Sequence, residues 1–285
     1  MRFRHQRTAA AAALAAAAVI GLPACSVVLG EEESILDADS LTIGVKADQP
    51  RLGMRDDASG DITGFDVEVA LYLADKLGFA AEDVEVTGIA STEREERLDR
   101  DMADGVDMVV ATYSITPARK TEVTFGGPYY VAKQDVLVRD GDTDIEEVRD
   151  LEGHTVCHEK DSNSAARISE GLGIDVEQRE KPSYSACIEA LENGEVDAVS
   201  TDNLILAGFL AEKPDTFRLV NEPFTDEKYG VGLPHGDVRA CEEVNRAISQ
   251  MYQDGTAARL LDKWFDGTGL PLVTSVPQFE GCDPT

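Results

Sequence analysis

The chain has 285 residues, enough for two ordinary domains, and its apolar content of 42% is that of a globular protein. The 55 acidic residues against 26 basic ones give a formal net charge of −29, which excludes nucleic-acid binding, since that needs a basic footprint. Acidity on this scale favours solubility and solvated faces and carries no information about fold.

At the N-terminus Arg2, Arg4 and Arg7 form a basic region, and Ala9–Gly21 an apolar one too short to span a bilayer well. Leu22-Pro23-Ala24-Cys25 then resembles a lipobox, so residues 1–24 are expected to be a lipoprotein signal peptide and Cys25 the lipidated first residue of the mature chain. Residues 25–40, with Glu31-Glu32-Glu33, read as the anchor and a solvated acidic tether. Export permits disulfides, and setting Cys25 aside leaves Cys157, Cys187, Cys241 and Cys282.

Leu41–Val45 reads as the first strand and Lys46–Gly53 as the loop at its C-terminal end. From Asp66 to Leu77, apolar Val67, Ala70, Leu71, Ala74 and Leu77 recur at helical spacing and Gly78 closes the helix. Asp66 and Glu68 suit the positive end of its dipole. Val84–Thr87 predicts a short strand, Glu93–Ala103 a charged helix, and Val106–Ala111 a buried strand that ends at the small hydroxyl residues Thr112 and Ser114. Thr116-Pro117 reads as a helix start, with Thr as N-cap and Pro in the first turn. Arg119 then lies near free backbone N–H groups. Exposed donors and a fixed guanidinium at a strand tip suit a carboxylate, which arginine can hold bidentately.

Val131–Val138 is an extended segment. Asp140, Asp142 and Asp144 imitate the start of a calcium loop, but Ile145 and Leu151 stand where glycine and glutamate are needed, so an acidic turn is expected. His154–His158 predicts a strand, Asp161-Ser162-Asn163-Ser164 a polar helix N-terminus able to meet an anion, Val176–Arg179 a strand and Tyr184–Leu191 a helix. Asn193-Gly194 turns into strand Val196–Ser200, which ends at Asp202. Phe217–Val220 predicts another strand, and Tyr229–Leu233 a second extended crossing. Asp237 starts a long helix with Val244, Ala247, Ile248 and Met251 along one stripe, and Ala257–Phe265 is the last helix, with Trp264 expected to be buried. The 4 histidines lack metal-ligand spacing, and neither a metal nor a cofactor is expected.

Ala103–Asp107 and Glu192–Asp197 echo one another as helix end, turn and buried strand. Ligands of open α/β sheets bind outside the C-terminal strand ends. Two such ends face to face would form a cleft with Arg119 on one wall and Asp202 on the other.

Three blocks, in this order and spacing, resemble the extracellular solute-binding proteins of polar amino acid ABC transporters, glutamate-binding lipoprotein type. They are Gly64-Phe65-Asp66-Val67-Glu68, then VDMVVATYSITPARK with FGGPYYVAKQDVLV, then Asn193-Gly194-Glu195-Val196-Asp197 through Asn203. The similarity spans about Leu41 to Leu272. It implies an α/β type II periplasmic-binding-protein fold, two α/β lobes joined by two crossing segments. Residues 41–131 plus 230–285 would form the first lobe and residues 132–229 the second.

The resemblance further implies that Arg119 holds a ligand α-carboxylate and Asp202 the α-ammonium. Backbone groups at Thr112 and Ser114 would complete one wall, and Ser162 and Asn163 would touch the ligand from the other. Arg94 or Arg97 would match the family's pocket-edge position. In glutamine-type relatives the position of Lys46 resembles an aspartate. A cation there, with Gln49 in place of a stacking aromatic, implies glutamate before aspartate as ligand. With these lobes, Cys157–Cys187 and Cys241–Cys282 are the expected disulfides, because either other pairing of the four cysteines would join the lobes and obstruct hinge closure. The implied activity is capture by hinge closure and delivery to an ABC permease at the outer face of the cytoplasmic membrane. Two rivals share the scaffold: an enzyme resembling cyclohexadienyl dehydratases, and the ligand-sensing domain of a receptor.

Overall fold

A computed structural model describes residues 34–99 and 102–282. The signal peptide, Cys25 and the tether up to residue 33 lie outside the described residues.

The first strand, β1 (Leu41–Val45), leads into a small antiparallel ribbon of β2 (Asp48–Gln49), β3 (Gly53–Arg55) and β4 (Ile62–Thr63). Helix α1 (Phe65–Leu77), strand β5 (Val84–Gly88), the single turn α2 (Arg94–Arg97) and strand β6 (Met108–Ser114) follow. The chain then runs through β7 (Thr124–Ala132), β8 (Gln134–Arg139), β9 (Thr155–Glu159), the short α3 (Ser164–Ala166), β10 (Glu177–Lys181), α4 (Tyr184–Glu192) and β11 (Ala198–Asp202). Helix α5 (Asn203–Glu212), β12 (Phe217–Leu219), β13 (Glu227–Leu233), α6 (Val238–Gln253) and α7 (Thr256–Phe265) complete it.

Two five-stranded sheets result, in the orders β5-β1-β6-β13-β7 and β10-β9-β11-β8-β12. Each has three parallel strands followed by antiparallel partners. The chain passes from the first sheet to the second at Lys133, between β7 and β8, and returns between β12 and β13. Strands β6 and β11 occupy the same place in the two plans. Every residue of both is buried, as expected for a strand covered on both faces. Helices α1, α6 and α7 cover the first sheet, where the Phe65 ring meets Tyr129, Tyr130 and Phe265 at centroid distances of 6.3, 6.1 and 6.0 Å. Helix α6 lies so close that a Cβ on Gly126 would stand 2.6 Å from Val244 Cγ1.

Several local expectations differ from the structure. The charged helix at Glu93–Ala103 shrinks to α2 after a 3-10 turn at Ser91–Glu93. Its sequence has no apolar stripe to bury, and a helix polar all round does not persist. The helix at Thr116-Pro117 is only a 3-10 turn at Arg119–Thr121, although Thr116 Oγ1 does accept from Arg119 N at 3.2 Å. Helix α5 was not foreseen, because NLILAGFLAE is apolar on nearly every side and lacks a helical period. Trp264 is half-buried, with Nε1 donating to Glu68 Oε1 at 3.1 Å, and Phe265 takes the core position instead. The chain is already docked at Ser34, within the segment expected to be tether. Asp237, which caps α6 by accepting from Ala240 N, also accepts from Ser34 Oγ at 2.7 Å and Ile35 N at 2.8 Å.

The disulfides are Cys157–Cys187, joining β9 to α4, and Cys241–Cys282, joining α6 to the C-terminal segment. They close loops of 30 and 41 residues. Replacing either pair by serine should lower stability by roughly 3–4 kcal/mol, read from urea unfolding, with a steeper slope as the unfolded chain expands. A loss under about 1 kcal/mol would show that the unfolded chain gains little freedom from the missing bridge.

Candidate functional site

The C-terminal ends of β6 and β11 meet across the two sheets around a small, nearly closed cavity. Its first wall is built on Asp66. This carboxylate is fully buried at the start of α1, where Oδ2 accepts from Thr112 N at 2.8 Å and Oδ1 from the Tyr129 hydroxyl at 2.8 Å. The bond holds Thr112 at φ +44°, a conformation a β-branched residue seldom adopts without such support. Thr112 Oγ1 in turn donates to Gln49 Oε1 at 3.1 Å. Burial pushes the Asp66 carboxyl up to about 7, against the two donors that oppose the shift.

Two guanidiniums stand on this wall. Arg119 reaches back along its own turn, so that one amino group donates to Ser114 O at 2.9 Å. Its other amino group donates to Asp161 O, on the opposite side of the cavity, at 2.8 Å. Arg94 is buried, with Nε donating to Ser91 O at 3.1 Å and a terminal amino group to Ala111 O at 3.3 Å. Both stack on Tyr113, Arg94 at 4.5 Å and Arg119 at 5.0 Å from the ring centroid. Burial and then the neighbouring Arg94 cation lower Arg119 to about 10, so it stays charged at neutral pH. The alternative left open by the sequence is thereby decided in position: Arg94 lines the cavity, while Arg97 faces Asp104 at 3.3 Å.

The second wall centres on Asp202, the last residue of β11 and the cap position of α5. Burial first, and then the Glu227 carboxylate, push it up to about 7, against Tyr229, Arg119 and Arg167. Glu227 is itself buried, and accepts from Arg167 Nε at 2.8 Å, Asn163 Nδ2 at 2.7 Å and Thr225 Oγ1 at 3.0 Å. The Asn163 amide is therefore committed to Glu227, although the residue lines the cavity. Ser162 Oγ, by contrast, is buried on the wall with no hydrogen-bond partner among the described residues. Tyr184, whose hydroxyl shares a 3.0 Å hydrogen bond with Ser164, completes this side.

The structure thus brings Arg119, Asp202, Thr112, Ser114, Ser162 and Asn163 to one cavity. Lys46 lies off its wall. Its ammonium is buried against Glu159 Oε1 at 2.7 Å, Asp48 Oδ1 at 3.2 Å and Ser91 Oγ at 3.2 Å. Sequence reasoning missed Tyr113, Tyr184 and Glu227, and treated Asp66 as a helix-dipole residue only. Two guanidiniums facing one carboxylate suit a small solute that carries one cation and more than one anionic group.

Comparison with known proteins agrees with this geometry. The family model described as bacterial extracellular solute-binding proteins, family 3, matches residues 41–267. The chain is 38% identical over 267 residues to the glutamate-binding protein GluB of Corynebacterium efficiens, covering 90% of this chain and 89% of that protein. It is 33% identical over 232 residues to the ABC transporter glutamine-binding protein GlnH of Bacillus subtilis, covering 81% and 83%. Among solved structures, an ancestral arginine-binding protein bound to arginine superposes with a TM-score of 0.71 at 30% identity, covering 80% of this chain and 99% of that one.

The shifts at Asp66 and Asp202 have a stability consequence. Both carboxyls rise from 3.8 to about 7 on folding, so the folded chain holds their protons more tightly than the unfolded chain does. The stability this supplies is complete below about pH 4 and is lost as pH rises through about 7. Asp202→Asn removes one such group. The variant's melting temperature should therefore gain on that of the ligand-free wild type as pH rises from about 4 to about 7. A constant difference across that range would mean that Asp202 ionises at its ordinary value.

Proposed function

Since this chain belongs to the bacterial extracellular solute-binding proteins, family 3, we propose that it captures an acidic amino acid, glutamate before aspartate, and passes it to the permease of an ABC transporter. The family and the relatives are transport binding proteins, so the chain is a binder and not an enzyme.

The observation that carries the choice of ligand is the pair of guanidiniums opposite one carboxylate. Arg119 takes the α-carboxylate and Asp202 the α-ammonium. Arg94, on the same wall, takes the side-chain carboxylate, the role the sequence suggested for Lys46. Backbone groups at Thr112 and Ser114 complete the α-carboxylate seat, and the unpartnered Ser162 hydroxyl supplies a contact from the second wall. An arginine ligand would bring its cation against Arg94, and a glutamine would offer only a neutral amide. A charge-assisted bond contributes about 1.5–3 kcal/mol, so glutamate should bind roughly ten- to a hundred-fold or more tightly than glutamine.

Calorimetry tests this directly. Arg119→Ala and Asp202→Ala should each cost on the order of 3–5 kcal/mol of binding, because each leaves a buried charge without its partner. Arg94→Gln should erase the preference for glutamate over glutamine while the α-group contacts persist. Equal wild-type affinity for the two amino acids would overturn the assignment of Arg94.

No helix among the described residues is long and apolar enough to cross a membrane. The proposed link to the membrane is lipid at Cys25, in keeping with the lipobox order of the sequence. Mass spectrometry of the mature N-terminus should show a diacylglyceryl group on that residue, and an unmodified Cys25 would rule the anchor out.

A further inference from the structure

We propose that the buried Lys46–Glu159 pair sets the closed register of the two lobes, so that amino-acid affinity depends on two residues the ligand does not touch. This rests on the reading of the cavity as an amino-acid site. Lys46 directly follows β1 in the first sheet, and Glu159 is the last residue of β9 in the second. Their 2.7 Å contact therefore exists only while the two sheets are brought together. Both are 1% exposed, and neither lines the cavity.

The surroundings leave little slack. Lys46 has Asp48 and Ser91 as further partners on its own side, each at 3.2 Å. Ser185 Oγ on α4 donates across the seam to Asp48 O at 2.9 Å, and Arg119 does the same to Asp161 O at 2.8 Å. Glu159 Oε2 is buried with no hydrogen-bond partner among the described residues, so the ammonium of Lys46 is what compensates this carboxylate.

The energetics of such a pair are asymmetric. Taking both ions out of water costs several kcal/mol each, and their attraction in the dry seam roughly offsets that cost. Closure with both charges present is then near neutral. Closure with Glu159 alone buries an uncompensated carboxylate, which is strongly unfavourable, whereas Lys46 alone keeps Asp48 and Ser91 as partners and loses less. The pair thus adds little net affinity of its own and permits only the arrangement in which the two ions meet. Because the contact lies outside the cavity, its effect on binding is the same for every amino acid that closes the lobes.

The test compares wild type, Lys46→Met, Glu159→Gln and the double variant by calorimetry with glutamate, aspartate and glutamine. Lys46→Met should weaken all three ligands by a common factor of about ten or more, Glu159→Gln by a smaller common factor because Lys46 keeps Asp48, and the double variant should bind more tightly than Lys46→Met. The ligand-induced decrease in radius of gyration, measured by small-angle scattering at a concentration that saturates the wild type, should be smaller in the single variants. Ligand-free melting temperatures should stay close to the wild type, which separates closure from a loss of fold. Single variants with wild-type affinity overturn the proposal. So does a Lys46→Met loss confined to the acidic ligands together with a gain in Glu159→Gln, since Lys46 would then be a side-chain ligand that Glu159 competes for. A wild type that binds none of the three amino acids overturns the reading of the cavity itself.

Discussion

The contact of Arg94 and Arg119 with the single ring of Tyr113 is what the rest of the site depends on. Two guanidiniums on one dry wall repel, and burial first and then that repulsion lower the pKa of Arg119. The ring offers its π-face to cations without adding a negative charge that would compete with a ligand. Backbone carbonyls of Ser91, Ala111, Ser114 and Asp161 accept from the two guanidiniums in the same neutral way. A full negative charge stands beside them in Glu95. It accepts from the Tyr113 hydroxyl at 2.5 Å and stands 3.5 Å from Arg119 Nε. The cations are thus held in place by dipoles and one half-exposed acid, and they keep most of their field for what enters the cavity.

Support for that wall comes from well behind it. Asp66 joins α1, β6 and β7 through two hydrogen bonds and fixes Thr112 in a conformation it would otherwise avoid. On the other side Glu227, the first residue of β13, is clasped by Arg167 and Asn163, which belong to the elements around α3. The return crossing is thereby attached to the second wall. The outward crossing is pinned too, where Lys133 N donates to Asn203 Oδ1 and Asn203 N donates to Lys133 O. Both passages between the sheets therefore end within a few residues of Asp202.

What could be read from the sequence was whatever repeats locally. Strands β6 and β11 stand out as apolar runs after glycine turns, and α6 as a stripe with an aspartate cap. The G-F-D and T-P-A-R stretches mark the first wall through their residue types. Arg94 could not be separated from Arg97, because it lies in a charged segment without period. It faces the cavity only because the chain turns back at once, with Val106 N donating to Arg97 O. Helix α5 was invisible for the opposite reason, being uniformly apolar. Glu159, the nearest in space of the partners of Lys46, lies 113 residues away, and no local pattern reports a pairing at that distance. Lys46 was therefore read as available, when a buried lysine is seldom left unpaired.

The proximity of Glu227 to Asp202 has one more consequence. Two buried carboxyls close together do not both ionise readily, so Asp202 shares its site with a proton near neutral pH. In the proposed binding mode the α-ammonium of an amino acid replaces that proton. A 2-oxo acid of the same chain length brings no cation, and its carbonyl oxygen meets either a carboxylate that repels it or a carboxylic acid that can donate to it. In that mode, discrimination between an amino acid and its oxo analogue is itself set by acidity. It sharpens as the medium turns alkaline and narrows as it turns acid, with the same side chains in the same places.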